Sequence, residues 1–442
     1  MSEVSVARTI DDYLKRLFPL QRSLTGRGNR ETLTVLTELL PLTISEYPSG
    51  TRVYDWVVPD EWNIHDAWIS DSNGTRLVDY KKNNLHVVGY SEPISENMTF
   101  KDLAPRLHYL PALPDAIPYR TSYYNKDWGF CVTAQQYETL KQKQGLFEVV
   151  IDSEFRPDGS MSIGELYIEG NRREEYLVST YICHPSMAND NLSGMLTTAL
   201  LARNIIDRGT PEYSWRFVFV PETIGALAYL KQNEDIVENV KGGLVITCCG
   251  GPGRLGYKES YCGDHIVDKS VRLAFRDLGI EPIYYPFAPS GSDERQYSSP
   301  GFRIPVVSIC KDKYHDYREY HTSLDNLDFV TGEQISQSLD VYTCLQKILD
   351  NNRVYRSNYS KGEPNLGKRG LYPKMGGGNN QLGLGKLSGE SCYSDLDAIN
   401  WLLFLADGEN DLVTTAELSN LPFDMVEKIA NRLYSHKMID VV

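Results

Sequence analysis

Apolar and polar positions follow different patterns in different parts of the chain. In residues 6 to about 45, apolar residues recur at three- and four-residue spacing in TIDDYLKRLFPL and RETLTVLTELL, which predicts two amphipathic helices. From about 48 to 130, short alternating stretches such as TRVYDWVVP, HDAWISDSNGTRLVDY and NLHVVGYS are separated by Pro, Gly, Asn and Asp. This pattern is typical of strands and turns, and Ser72-Asn73-Gly74 indicates a hairpin. We interpret the segment as a small β-rich domain inserted after the first helices.

From about residue 131, candidate strands alternate with candidate helices. The strands are FEVVI, SIGELYIEG, EYLVSTYI, WRFVFVP, GGLVITCC and IPVVSIC, and the helices are NLSGMLTTALLARNII, GALAYLKQNEDIV, DKSVRLAFRDLG and ISQSLDVYTCLQKIL. Such alternation predicts an α/β fold, in which helices sandwich a mixed, mostly parallel sheet. We therefore assign residues 1–47 and 131–355 to an α/β domain and residues 48–130 to the inserted β-rich domain.

The last part of the chain has a different composition. Residues 356–392 are rich in Gly, Asn and Lys and predict a linker. Residues 393–442 predict three short helices that resemble the helix-turn-helix of a winged-helix domain. Acidic residues far outnumber basic ones in this domain, whereas a helix that reads DNA needs Arg and Lys towards the phosphates. The composition therefore favours a protein-interaction or oligomerisation module over a DNA-binding one.

Composition and charge narrow the choice of partners and of compartment. At 442 residues, the chain is long enough for two or three domains, and its net charge of −14 argues against nucleic acid and anionic membranes as partners. We find neither a signal-peptide pattern at the N-terminus nor an apolar stretch of membrane-spanning length. The eight cysteines are scattered without C-x-x-C spacing, which indicates free thiols. We expect a cytoplasmic protein.

Side chains that could carry chemistry follow several of the predicted strands. His184 and Asp190 lie in the loop after EYLVSTYI, and Glu222 follows WRFVFVP. Asp293 lies in a Ser- and Gly-rich turn, and His321 follows IPVVSIC and an intervening loop. Each residue alone has another explanation; Asp190, for example, could cap the next helix. Because ligands bind beyond the carboxyl ends of the strands in an open α/β sheet, the convergence of these residues indicates a functional site.

Zinc suits this set of side chains. Zn²⁺ binds imidazole and carboxylate in a tetrahedron, and catalytic sites keep one position open for water. His184, Asp190 and His321 would be the three protein ligands. Glu222 would stay uncoordinated, take the proton of the zinc-bound water as it attacks a carbonyl, and return it to the leaving amine.

Four segments together resemble the zinc-dependent exopeptidase superfold, which includes zinc aminopeptidases, glutaminyl cyclases and zinc carboxypeptidases. These segments are HPSMANDNLSG, PETIGALAYL, GSDERQYSSPGFRIPVV and YHTSLDNLD, and they lie in the same order as in that superfold. More narrowly, the whole chain resembles a bacterial aminopeptidase-like family with an inserted β domain and a C-terminal winged helix. Members of that family are often linked to polysaccharide-biosynthesis loci. The resemblance implies a zinc metallopeptidase with Glu222 as its general base.

The chain departs from the two-zinc aminopeptidases at two positions. Thr223 stands where those enzymes carry a second, metal-binding glutamate. Thr247, Cys248 or Cys249 stands where another aspartate ligand would follow the strand GGLVITCC. Each zinc of a pair would lose one carboxylate, so we expect one zinc per chain rather than two.

Other residues are candidates for supporting roles. Asp325 could accept the second N–H of the His321 imidazole, although a turn or cap role fits equally well. Asp293 and Arg295 could orient substrate or brace their loop, and Arg295 could pair with a substrate carboxylate or, as easily, with Asp293 or Glu294. Weaker candidates for lining the cleft from the inserted domain are Arg120, Tyr123 and Trp128.

Three hypotheses for the function remain open at this point. The first is a zinc-dependent hydrolase that cleaves a peptide or amide bond in a small substrate. The second is a single-zinc amide-processing or cyclase-type enzyme that acts on a sugar-linked or modified amino acid. The third is a non-catalytic scaffold on the same fold. We expect no nucleic-acid or membrane partner, whereas homo-oligomers or a protein partner could form through the winged-helix or β domain.

Overall fold

The computed structural model describes residues 3–371 and 395–442. The chain divides into two compact units, of which the first comprises Met1–Gly263 and Pro282–Tyr342 and the second Asp264–Glu281 and Thr343–Val442. None of the helices in the described ranges is long and apolar enough to cross a membrane.

The strands in the described ranges form several separate sheets. They are β1 (Thr43–Pro48), β2 (Arg52–Val53), β3 (Trp56–Val57), β4 (Glu61–Ser70), β5 (Arg76–Asp79), β6 (Ile94–Met98), β7 (Leu107–His108), β8 (Phe130–Cys131), β9 (Phe147–Arg156), β10 (Ser160–Ile168), β11 (Arg172–Tyr181), β12 (Tyr213–Val220), β13 (Val240–Val245), β14 (Leu255–Lys258), β15 (Ile283–Tyr285), β16 (Val306–Lys311), β17 (Val354–Ser357), β18 (Asp407–Asp411) and β19 (Ile439–Val441).

The α-helices range from one turn to five. They are α1 (Glu3–Leu17), α2 (Arg27–Leu36), α3 (Phe100–Leu103), α4 (Ala134–Gln142), α5 (Gly194–Arg208), α6 (Ile224–Gln232), α7 (Glu234–Val237), α8 (Ile266–Asp277), α9 (Glu294–Tyr297), α10 (Gly332–Asn351), α11 (Asp395–Leu405), α12 (Leu412–Ser419) and α13 (Phe423–Ser435).

An eight-stranded mixed sheet organises the first unit. Its strand order is β1-β10-β12-β11-β13-β16-β14-β15. The four central strands β12, β11, β13 and β16 are parallel, and antiparallel pairs join β10 and β14 to them. The central strands are near-continuous apolar runs, and seven of the eight residues of β12 are buried, as expected for strands covered on both faces. The prediction of an α/β fold with a mixed, mostly parallel sheet is confirmed.

Helix α5 begins close to the carboxyl end of β13. A Cβ added at Gly194 would lie 2.5 Å from the carbonyl oxygen of Ile246, so only glycine allows the backbones to approach this closely. Most residues of α5 are buried, from Gly194 to Ala202 without a break. This burial fixes the loop that precedes α5, which carries Asp190.

A four-stranded antiparallel sheet, in the order β5-β4-β9-β6, forms a second core in the first unit. The predicted hairpin at 72–74 joins β4 to β5. Two predictions were wrong. The segment FEVVI lies in β9 of this four-stranded sheet rather than in the large sheet. The segment NLHVVGYS does not form a strand in the described structure: it begins with a 3-10 turn, Asn84–His86, and makes only isolated β-bridges. A short alternating run shows that a strand forms but not which sheet receives it.

The second unit contains the winged helix. Helices α11, α12 and α13 accompany a three-stranded antiparallel sheet in the order β18-β17-β19. Helix α8 belongs to the same unit, since Arg276 donates to the carbonyl oxygens of Ala416 and Leu421 and Asp277 accepts the N–H of Phe423. The predicted linker begins within β17, and its residues 372–392 lie outside the described ranges.

Candidate active site

The carboxyl ends of the parallel strands bring the candidate residues together. His184 lies three residues beyond the end of β11, and Glu222 lies two residues beyond the end of β12. Thr247 follows β13, and the loop after β16 leads to His321. Since these strands are adjacent and parallel, their loops meet at one edge of the sheet.

His184, Asp190 and His321 form a group that could hold a metal ion. One ligand atom from each lies within 4.8 Å of the other two, and the two imidazole rings are 5.4 Å apart. A tetrahedral zinc ion with bonds of about 2.0–2.2 Å separates its ligand atoms by about 3.3–3.6 Å. The spacing of the three residues is therefore compatible with zinc.

Two atoms of this group are buried without a hydrogen-bond partner. Nε2 of His321 and Oδ2 of Asp190 lie 3.0 Å apart, yet neither makes a hydrogen bond in the described part of the chain. A buried polar atom without a partner is rare and calls for an explanation. A shared cation would satisfy both atoms, so the residues present fit a metal ion.

The surroundings of His184 and Asp190 keep both side chains in the forms that bind metal. Burial lowers the pKa of His184 to about 4, so its imidazole is neutral at pH 7. Burial alone would raise the pKa of Asp190, but the imidazoles of His184 and His321 and the hydroxyl of Tyr181 hold that pKa below its usual range. A neutral imidazole and an ionised carboxylate are the forms that a metal requires.

Tyr181 and Asp325 position Asp190 from opposite sides. The hydroxyl of Tyr181 donates to Oδ1 of Asp190 and lies 2.6 Å from the hydroxyl of Thr247, which is therefore the donor in that second pair. The carboxylate of Asp325 accepts the N–H groups of residues 188, 189 and 190 and the hydroxyl of Tyr317. None of its hydrogen bonds comes from His321, so the predicted contact between Asp325 and that imidazole does not form. Asp325 instead fixes the turn Ala188–Ser193, in which the Asp190–Asn191 peptide bond is cis.

Glu222 lies beside this group. Its Oε2 is 3.9 Å from Nε2 of His184, and 25% of its side chain is accessible. Burial raises the pKa of Glu222, and the negative charges of Asp293 and Asp190 raise it further. A carboxylate with a raised pKa is a better base near neutral pH than a surface carboxylate is.

Asp293 braces the backbone next to Glu222. Its Oδ1 accepts the N–H of Thr223 at 2.7 Å, and Thr223 has a positive φ of 65°. Asp293 is fully buried, and this burial raises its pKa to about 7. These contacts support the predicted bracing role. Arg295 is exposed and forms no ion pair with Asp293 or Glu294 within the described ranges.

The positions without the expected carboxylates have other contacts. The backbone N–H of Thr223 donates to Asp293, and the hydroxyl of Thr247 is hydrogen-bonded to that of Tyr181.

A second group with metal-ligand spacing comprises Cys183, His184 and Glu222, and it shares His184 with the first group. All seven cysteines in the described ranges, Cys183 included, are free. The number of metal ions thus stays a prediction.

A cavity of about 270 Å³ lies next to Glu222. Its wall includes Arg22, Trp56, Tyr119 and Tyr123, of which only Tyr123 was among our candidates from the inserted domain. Arg120 and Trp128 are not among the residues that line it.

Sequence reasoning missed Tyr119 and Arg22. The Tyr119 ring packs against both imidazoles of the candidate metal site, at 5.3 Å from His184 and 5.1 Å from His321, and its backbone N–H donates to the carbonyl oxygen of His321. Arg22 donates from Nε to the carbonyl oxygen of His184 at 2.8 Å. Neither residue lies in a recognisable motif.

Comparison with protein families decides where this fold belongs. The sequence profile of a domain of unknown function, DUF4910, matches residues 11–352. The chain belongs to the DUF4910 family. A winged helix-turn-helix profile matches residues 353–441, in agreement with the structure of the second unit.

Relatives share both the sequence and the fold. A Clostridium acetobutylicum protein, proposed to be a polysaccharide biosynthesis protein with an aminopeptidase-like domain, is 42% identical over 433 residues, which are 98% of this chain and 96% of that protein. The crystal structure of a proposed peptidase from the same organism has a TM-score of 0.90 and 39% identity and covers 100% of this chain and 97% of that one. The predicted resemblance to an aminopeptidase-like family with a C-terminal winged helix is confirmed.

Aminopeptidases share the fold at low sequence identity. The structure of BSAP, a zinc aminopeptidase from Bacillus subtilis, has a TM-score of 0.58 and 13% identity and covers 78% of this chain and 94% of that one. An aminopeptidase from Aneurinibacillus has a TM-score of 0.50 at 13% identity, covering 78% of this chain and 93% of that one. The first unit therefore has an aminopeptidase-like fold.

Proposed function

We propose that the chain is a zinc-dependent hydrolase that cleaves a peptide or amide bond. The observation that carries this proposal is the pair of buried atoms on His321 and Asp190, which lie 3.0 Å apart without a hydrogen bond, together with Glu222 at 3.9 Å from the neighbouring His184. The aminopeptidase-like fold and the zinc aminopeptidases that share it support the choice of metal. One zinc ion per chain is the stoichiometry that we propose.

The ligands would be His184, Asp190 and His321. When bound, zinc would polarise the scissile carbonyl and acidify the attacking water. Glu222 accepts a proton from that water as the oxygen attacks the carbonyl carbon, and then transfers it to the nitrogen of the leaving amine as the C–N bond breaks. The water thus divides between the new carboxylate and the amine, and Glu222 ends the cycle as it began.

A purely structural or scaffolding role fits the site less well. Binding alone requires neither a carboxylate with a raised pKa beside a metal group nor two unpartnered atoms facing each other. The name of the Clostridium relative mentions polysaccharide biosynthesis, which is compatible with a narrower substrate class, an amide of a sugar-linked or modified amino acid. We hold this class as the second candidate.

The winged helix would serve protein contacts rather than DNA. In its third helix, α13, Asp424 and Glu427 offset Lys428 and Arg432, and Arg432 forms an ion pair with Asp395 at 3.2 Å. Few cations remain to meet phosphates. If the protein retards a DNA duplex in a gel-shift assay at low salt, this part of the proposal is wrong. A cytoplasmic location is part of the proposal, and the free cysteines in the described ranges support it.

The test combines metal analysis with a single substitution. Atomic emission spectroscopy on protein purified without a chelator should find about one zinc ion per chain. Glu222→Gln should keep that zinc and lose activity by at least about 100-fold on whichever substrate the wild type cleaves. Aminoacyl anilides and aminoacyl or N-acetyl sugar conjugates are the substrates to compare. Glu96→Gln, an exposed glutamate on β6, is the matched control and should change neither property. A wild type that neither carries nor binds zinc would refute the proposal.

A further inference from the structure

Three accessible aromatic side chains from residues 48–130 border the cavity beside Glu222. Trp56, Tyr123 and Tyr124 all line this cavity, and they are 40%, 44% and 46% exposed. The rings of Trp56 and Tyr124 pack against each other, with centroids 5.8 Å apart. Large aromatic residues are buried on average, whereas rings that stay accessible on the wall of a cavity are typical of ligand sites. We call these three residues the aromatic wall.

Both segments that carry the aromatic wall are anchored to other parts of the first unit. In the β2–β3 hairpin, which contains Trp56, the carbonyl oxygen of Arg52 accepts a hydrogen bond from the ammonium group of Lys231 at 2.8 Å. In the loop that carries the two tyrosines, the N–H of Ser122 donates to the carbonyl oxygen of Gly89 at 2.9 Å. The rings are therefore in place before a ligand arrives, which lowers the entropic cost of binding.

The cavity offers a ligand few accessible charges. Of the residues that line it within the described ranges, only Arg22 and Glu222 are charged, and Arg22 has no accessible surface. An anion in the cavity would meet the carboxylate of Glu222 without a cation to offset it, and a cation would occupy the proposed general base. The hydroxyls of Tyr123 and Tyr124 make no hydrogen bond within the described ranges, so they are available to polar substituents. The cavity therefore suits an uncharged group.

The cavity has room for about one ring, and it adjoins the candidate metal site. Its volume of about 270 Å³ lies just below the range of about 300–1,000 Å³ that is typical of pockets for drug-sized ligands. Tyr119, another residue of its wall, packs against the imidazoles of His184 and His321. A ring bound in the cavity would thus lie close to the groups that we propose for the reaction.

We propose that the aromatic wall binds an uncharged ring of the substrate, either a sugar ring or the ring of an aromatic group, next to the bond that is cleaved. Both kinds of ring have apolar faces that pack against indole and phenol rings, and both can carry substituents that bond to tyrosine hydroxyls. As a statement about substrate, this inference rests on the proposed hydrolase function. It adds that Trp56, Tyr123 and Tyr124 select the substrate by its ring.

Binding of small ring compounds to the full-length protein tests this without any need for catalysis. The probes are methyl β-glucoside and benzyl alcohol, which are uncharged, and benzylammonium and benzenesulfonate, which carry opposite charges. Titrations followed by saturation-transfer NMR measure their dissociation constants. The wild type should bind at least one uncharged probe with a dissociation constant of about 1–10 mM, and about 10-fold more tightly than either ion. The uncharged probe that binds more tightly identifies the ring as that of a sugar or of an aromatic group.

Substitutions assign the binding to the aromatic wall. Trp56→Ala should weaken binding of the preferred probe about 10-fold, because a stacking contact is lost, whereas Trp56→Phe should retain most of the affinity. Tyr124→Ala should weaken binding as well, and it replaces Trp56→Ala if that variant does not fold. Trp401→Ala, at an exposed tryptophan on α11, is the matched control and should bind as the wild type does.

Three outcomes would overturn the inference. They are that neither uncharged probe binds, that an ion binds as tightly as the better uncharged probe, or that Trp56→Ala and Tyr124→Ala leave the affinity unchanged. None of the probes contains an amide bond, and their binding requires neither zinc nor Glu222 as a base. Failure of the ring site is therefore distinguishable from failure of the hydrolase proposal, which zinc analysis and Glu222→Gln test separately.

Discussion

Nε2 of His321 lies 3.0 Å from Oδ2 of Asp190, and neither atom makes a hydrogen bond in the described ranges. If a cation joins them, His321→Gln removes one ligand and should lower the affinity for zinc by at least about 100-fold. Emission spectroscopy measures the zinc content of the variant, and competition with a chromophoric chelator measures its affinity for zinc. His65→Gln, at an exposed histidine on β4, provides the control. Full zinc content in the His321 variant would show that the two atoms face each other for another reason.

Asp325 should matter for metal binding although it offers no ligand. Its two oxygens accept three backbone N–H groups of the turn that carries Asp190. Asp325→Asn replaces one oxygen by an NH₂ group that faces N–H donors, so the turn should move and the affinity for zinc should fall about 10- to 100-fold. Asp328→Asn, three residues away and exposed, is the matched control. An unchanged affinity in Asp325→Asn would mean that the turn holds its shape without these bonds.

His184 should titrate far below an ordinary histidine in the metal-free protein. Burial lowers its pKa from 6.5 to about 4. Between these values the unfolded chain binds a proton that the folded chain does not, so acidification lowers the free energy of unfolding, by about 3 kcal/mol for this residue in total. NMR of ¹³C-labelled histidine, with His184→Gln for assignment, reports the titration. A midpoint near 6.5 would contradict the expectation.

The ion pair between Arg30 and Glu61 should stabilise the first unit. Both carboxylate oxygens of Glu61 accept from Arg30, at 2.8 and 2.6 Å, and the glutamate side chain is 4% exposed against 34% for the arginine. Because Arg30 is partly solvated, Glu61→Gln should lower the free energy of unfolding by about 1–3 kcal/mol. Urea denaturation checks this against Glu169→Gln, an exposed site.

The pH dependence of this ion pair has a definite sign. Hydrogen bonds from Arg30 lower the pKa of Glu61 to about 2. A lowered pKa means that the stabilisation is present above pH 4.5 and is lost as the pH falls towards 2. The difference in stability between wild type and Glu61→Gln should therefore be constant from pH 5 to 7. If the difference in stability changes between pH 5 and 7, another titrating group causes it.

The positions of the candidate residues at the strand ends could be predicted because short segments of sequence determine them. Each central strand is a largely apolar run with a polar residue at its end or within the next three positions, and parallel strands place such ends at one edge. His184 and Glu222 could thus be placed near each other from two short segments of sequence. The apolar pattern also gave the helices of the winged-helix unit, but not its sheet, whose strands are only three to five residues long.

Other features depend on contacts between distant residues, which a single sequence does not show. Arg22 reaches the His184 loop across 162 positions, and a buried arginine looks like a surface one in a sequence. Asp325 carries no motif that marks backbone binding, so a turn or cap role and a contact with the nearby imidazole fitted the sequence equally well. FEVVI alternates as any half-buried strand does, and only pairing with β4 and β6 assigns it to a sheet.

The segment around Tyr119 is joined to the His321 loop by a small ladder. Pro118 pairs with Thr322, the N–H of Ser323 donates to the carbonyl oxygen of Ile117, and that of Tyr119 donates to His321. A shortened protein without residues 48–130 would therefore lose support for a candidate metal ligand, His321, as well as part of the wall of the cavity beside Glu222. The two segments depend on each other. A graft of residues 48–130 onto another aminopeptidase-like scaffold would therefore need to include the His321 loop as well.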